Sequence, residues 1–119
     1  MKFFILIALI AAFAVFINAD NSQRCSQKNP NVVNAIGRFC QKGDMVINSL
    51  YAWQGTISNY RPDWKAHVWI RGTCNPPQWV PQKYCFSQLY DICANGGPHG
   101  GGRGWYGNNR CQEWSIFME

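Results

Sequence analysis

Six cysteines limit what this chain can fold into more than any other feature. Cys25, Cys40, Cys74, Cys85, Cys93 and Cys111 are spread over 119 residues, and an even count in a short exported chain reads as three disulfides. Zinc ligation would call for close pairs such as Cys-x-x-Cys, and no spacing here supplies one, so no metal is expected. Spacing alone does not choose among the many pairings. Each bridge contributes roughly 2–4 kcal/mol, a large share for a domain too short to build a big apolar core.

Export is read from the first residues. Lys2, the unbroken apolar run from Phe3 to Ile17 and the small residues of Ile17-Asn18-Ala19 form the pattern of a secretory signal peptide over residues 1–19. The run falls short of the roughly 20 apolar residues of a membrane span, and polar residues follow at once. Residues 20–119 are therefore expected to be one secreted, extracellular domain with no transmembrane segment. No repeat or linker divides them, and a monomer is expected. Loss of Lys2 lowers the charge of the whole chain from +5 to +4. That balance favours anionic surfaces, but no basic run exceeds two residues, so nucleic acid is not an expected partner. Residues 20–119 contain no Asn-x-Ser/Thr site for N-glycosylation, and no cofactor is expected.

Between the cysteines the apolar period alternates between helix and strand. Asp20 to Lys28 is polar around Cys25 and reads as a short edge strand or a stapled arm. Asn29-Pro30 marks a helix start, with Asn as N-cap and Pro where its missing N–H matters least. Val32, Val33, Ile36, Phe39 and Cys40 then recur at helical spacing until Lys42-Gly43. Asp44 to Trp53 changes to period two and predicts a strand covered on both faces. Gln54 to Asp63 reads as a connection. Lys65 to Arg71 is a second strand, with Ala66, Val68 and Ile70 on one side and Lys65, His67, Trp69 and Arg71 on the other.

The stretch from Cys74 to Cys111 holds four of the six cysteines. Pro76, Pro77 and Pro81 exclude a strand from Gly72 to Pro81. Pro81 to Asn95 has helical spacing, with Cys85, Leu89, Ile92 and Cys93 on one face and Phe86 and Tyr90 beside it. Gly96 to Asn109 reads as a loop, because seven of its fourteen residues are glycine. Cys111 to Met118 alternates as a final strand. The sum is an α+β fold: a small disulfide-stabilised antiparallel sheet with two helices on one face. It takes the ferredoxin-like split βαβ order if the Cys25 segment is a strand.

The leader, the six cysteines, the two cysteine-bearing helices and the ending GGGRGWYGNNRCQEWSI resemble small secreted cysteine-rich proteins of fungi, notably effectors and killer-toxin-like proteins. The resemblance implies release toward a host or a competitor. It carries no catalytic residue with it.

Function is read from aromatic and charged residues. Trp53 and Trp114 have strand phases that suit a core, whereas Trp64, Trp79 and Trp105 lie in connections rich in Pro and Gly. The predicted binding residues are Arg103, Trp105, Tyr106 and Arg110 on the glycine loop, joined by Trp69 and Arg71 on the strand. Rings set among guanidinium groups suit a host or competitor protein, a glycan or an anionic surface. A catalytic reading also exists on paper. His67, Glu113 and Arg71 or Arg103 would supply the base, acid and cation of a metal-free ribonuclease if their strands are neighbours, with Trp69 and Tyr106 stacking a base. Oxidised cysteines leave no thiolate nucleophile. The order of readings is a non-enzymatic effector, then an antimicrobial or killer-type toxin, then the ribonuclease.

Overall fold

Two buried asparagines set where the first long helix begins. In the computed structural model, which describes residues 20–119, Asn29 caps helix α2 (Pro30–Cys40), its side-chain oxygen accepting from the Asn31 N–H at 3.0 Å. Asn29 and Asn31 are fully buried. Both side-chain amides donate to the Trp64 carbonyl, and Asn31 also accepts from the Arg61 N–H at 3.0 Å. The cap thus also holds the loop ahead of the central strand, and buried amides left without those partners would cost about 1–3 kcal/mol each.

Helix α2 turns Val32, Ala35, Ile36, Phe39 and Cys40 inward. Helix α4 (Gln82–Ala94) follows Pro81 and buries Cys85, Leu89, Ile92 and Cys93, the face that the spacing predicts. The Cys40–Cys85 disulfide joins the two helices. Gly43 ends the α2 turn at φ 103°, as expected of a glycine after a helix.

The Cys25 segment is stapled, through Cys25–Cys93, but it is not a strand, one of its two expected forms. Residues 20–28 form a helix, α1, so the ferredoxin-like order does not arise. The cause is tertiary. Cys25 is buried and bonded to Cys93, while Lys28 and Arg24, one helical turn apart, donate to the open carbonyls at the end of α4. The Lys28 ammonium alone reaches the carbonyls of Cys93, Ala94 and Gly96 at 3.3, 2.7 and 3.1 Å. A cation there satisfies groups that a helix end leaves unpaired, and none of this shows in a polar stretch with no apolar period.

The second correction falls on Asp44 to Trp53. Only β1 (Met45–Val46) is strand, paired with β4 (Trp79–Val80) inside the segment where prolines had excluded one. Asn48 takes φ 80°, tied to the Cys74 carbonyl at 3.0 Å. Ser49 then caps a short helix, α3 (Leu50–Gln54). The turn breaks the strand that the alternation suggested, and Trp53 lies half exposed instead of in the core.

The main sheet has the order β2-β3-β6-β5 and is antiparallel throughout. Strand β3 (Ala66–Gly72) and strand β6 (Gln112–Met118) fall where expected. Strand β2 (Thr56–Ser58) lies within the predicted connection, and strand β5 (Gly102–Tyr106) within the predicted glycine loop. Helices α2 and α4 cover one face, where Val68, Ile70, Trp114 and Ile116 are buried against Phe39 and Leu89. The third disulfide, Cys74–Cys111, clamps the segments that leave β3 and enter β6.

Strand β5 exists because its glycines face the helices. A Cβ on Gly104 would stand 2.9 Å from the Tyr106 ring and 3.2 Å from Ile92, and one on Gly102 would stand 3.3 Å from Ile92. Glycine usually weakens a strand, but here a side chain would press on Ile92 of α4 and, at Gly104, on the Tyr106 ring. The alternation Gly102-Arg103-Gly104-Trp105 is small-in, large-out, a period-two signal carried by the sequence itself beneath its glycine content.

Candidate functional site

The uncovered face of the sheet collects nearly all the predicted site residues in register. Arg71 of β3 stands opposite Glu113 of β6, which stands opposite Trp105 of β5. The next row is Trp69, Ser115 and Arg103, and the row beyond begins with His67 and Phe117. In these rows Arg103, Trp105 and Phe117 are exposed, whereas Trp69 and Ser115 are buried, and α3 packs beside β3 through the Trp53 and Gln54 carbonyls. Partners directly across an antiparallel sheet are about 4.5–5.5 Å apart, so each row forms a continuous surface.

Arg71 is the cation of the face that lies against two rings. Its guanidinium sits 4.8 Å from the Trp53 ring and 4.6 Å from the Trp69 ring, and its Nε donates to the Trp53 carbonyl at 3.0 Å. Trp69 is consequently covered, by Arg71 on one side and by the His67 ring at 4.6 Å. Its indole N–H is buried with no acceptor, the one such side-chain atom among the described residues, an arrangement that costs about 1–3 kcal/mol.

At the other end, Arg110 lies over Trp105 at 5.2 Å. It gets there by backbone shape. Gly107 at φ 80° opens the turn Asn108–Arg110, in which Asn109 and Arg110 both take left-handed φ, 55° and 57°. For an arginine that conformation costs on the order of 1 kcal/mol, and Cys111 fixes the end of the turn through its bridge to Cys74. Between the two tryptophan–arginine pairs lies a groove of about 380 Å³, bounded by Trp53, Arg71, Trp105, Arg110 and Glu113. Glu113 is partly used already: it accepts from Ser115 at 3.2 Å and faces Arg103 at 4.0 Å.

Two predicted residues behave differently. Tyr106 follows Trp105 in sequence but points to the opposite face, edge-on to Trp114 at 5.1 Å, where burial raises its phenol pKa with a smaller contribution from Asp91. It belongs to the core side and to no binding pair with Trp105. His67 shares the open face, but four residues along the strand separate its row from that of Glu113, roughly 13 Å at the usual rise. Its Nδ1 faces Glu119 at 3.6 Å and its Nε2 the Gln54 carbonyl at 2.7 Å. Lys65, hydrogen-bonded to Glu119 at 2.9 Å, holds that carboxyl below its ordinary pKa, with His67 helping. Of the four catalytic candidates, Arg71, Glu113 and Arg103 are therefore neighbours on one face, and His67, the proposed acid–base partner of Glu113, stands apart from them.

Sequence reasoning missed Trp53, which it assigned to the core, and the placement of Glu113 at the centre of the groove. The i+3 position of Trp53 after Leu50 would have marked an exposed helical side had α3 been recognised. Compared with known families, curated proteins and solved structures, this chain matches none.

Proposed function

We propose that the protein is a secreted binding protein, an effector that acts on a host target through the open face of its sheet. The observation that carries this reading is the groove flanked by two half-exposed tryptophans, each paired with an arginine. Rings of this size with cations beside them dominate the energetics of many interfaces. Three disulfides fit an oxidising environment, and the resemblance to fungal secreted proteins supplies the host setting. The same basic and aromatic face supports the antimicrobial or killer-type toxin as the second reading. The ribonuclease reading lacks the convergence that it requires.

The test is activity on host tissue with Trp105→Ala and Arg71→Gln. Both variants are expected to fold and to lose at least tenfold in activity, about 1.4 kcal/mol. Full activity in both removes the face as the site.

A further inference from the structure

The open face exposes more apolar surface than a groove for one small group would use. Leu50 is 69 % exposed, Trp53 50 %, Ile57 44 %, Trp105 45 % and Phe117 51 %. Leu50 and Trp53 are three residues apart on α3 and share its side. Ile57 and Phe117 both stand opposite His67 in the register, so they share the face with Trp105. Monomeric soluble proteins seldom leave large side chains gathered in this way unless something covers them. The charge on the face is mainly positive as well: Lys65, Arg71, Arg103 and Arg110 against the carboxylates of Glu113 and Glu119, which face Arg103 at 4.0 Å and Lys65 at 2.9 Å.

We propose that the partner of this face is the headgroup region of an anionic bilayer, on which the protein lies flat. The inference rests on the binding-face reading above and names its partner. Tryptophan rings prefer the membrane–water interface, where the ring is half in hydrocarbon and half in water. Guanidinium groups donate in pairs to phosphate and carboxylate oxygens, the groups that an anionic headgroup offers. Leu50, Ile57 and Phe117 would enter the acyl boundary, as the apolar side of an interfacial helix does. A polysaccharide or nucleic-acid strand would leave those three without a role. No helix among the described residues is long and apolar enough to cross a membrane, which fits a contact confined to the surface.

The probe is vesicles of phosphatidylcholine alone and of phosphatidylcholine mixed with phosphatidylserine, with the oxidised protein followed by tryptophan emission and co-sedimentation. Binding to the mixed vesicles is expected at least tenfold tighter than to phosphatidylcholine alone, with a blue shift in emission and weakening as salt rises. Trp105→Ala, Phe117→Ser and Arg110→Gln should each weaken it at least threefold, and Trp79→Ala, an exposed tryptophan outside this face, should not. Equal affinity for both vesicles, or none for either, overturns the lipid inference. Loss of biological activity in Trp105→Ala without any vesicle binding also overturns it but leaves the binding face standing. A folded Trp105→Ala that keeps both activity and vesicle binding removes the face itself.

Discussion

Trp114 and Trp105 occupy neighbouring strands in adjacent rows of the same sheet, and they are used in opposite ways. Trp114 is buried beneath the helices, and its indole N–H donates to the Gln112 side chain at 2.9 Å. Trp105 stands half exposed under Arg110, on the face where the fold has placed no layer. The difference teaches that a strand's alternation divides two jobs. One side holds the molecule together, and the other carries large side chains that the fold does not need.

The strongest way to break that comparison is to remove what fixes both faces at once. Reduction of the three disulfides, at roughly 2–4 kcal/mol each, is expected to abolish cooperative unfolding near physiological temperature. A melting curve unchanged in reductant would refute the disulfide framework. Next in size is Trp114→Ala, expected to cost about 3–5 kcal/mol by the usual scale for large core aromatics, as read by denaturant unfolding. Gly104→Ala should cost about 1–3 kcal/mol, because the new methyl meets Tyr106 and Ile92. A neutral result there would mean that α4 does not hold β5 as described.

Smaller effects sharpen the contrast. Trp105→Ala should change stability by no more than about 1 kcal/mol, in the range of surface substitutions, while target affinity falls at least tenfold. Unfolding of this variant would make Trp105 a core residue after all. Trp69→Phe is expected to be smallest, within about 1 kcal/mol, because it deletes a buried donor without a partner along with part of a ring. A loss comparable to that of Trp114→Ala would show that the indole N–H is satisfied in solution.

The elements legible in the sequence are those whose period is set by burial on one side: α2 with its Asn29 cap, β3, α4 and β6. Apart from β5, whose alternation the sequence shows, the elements not legible are held by partners distant in sequence. Helix α1 depends on Cys93 and on the carbonyls ending α4, and β1 ends where Asn48 reaches the Cys74 carbonyl. For the candidate site, the residue types and the facing of His67, Trp69 and Arg71 could be read from alternation. The row joining Arg71, Glu113 and Trp105 could not, since it depends on strand order and register. Tyr106 and Trp105 pair only if the segment is a loop, and in a strand adjacent residues face apart.

The glycine alternation of β5 has a consequence for how this protein can change over generations. A side chain at position 104 would meet the Tyr106 ring at 2.9 Å, and one at position 102 would press on Ile92 of α4 at 3.3 Å, whereas Arg103 and Trp105 point away from α4. A single codon change at either outward position alters what the strand displays and leaves its fit to the helix untouched. Residues 103 and 105 can therefore change almost independently of the fit between β5 and α4.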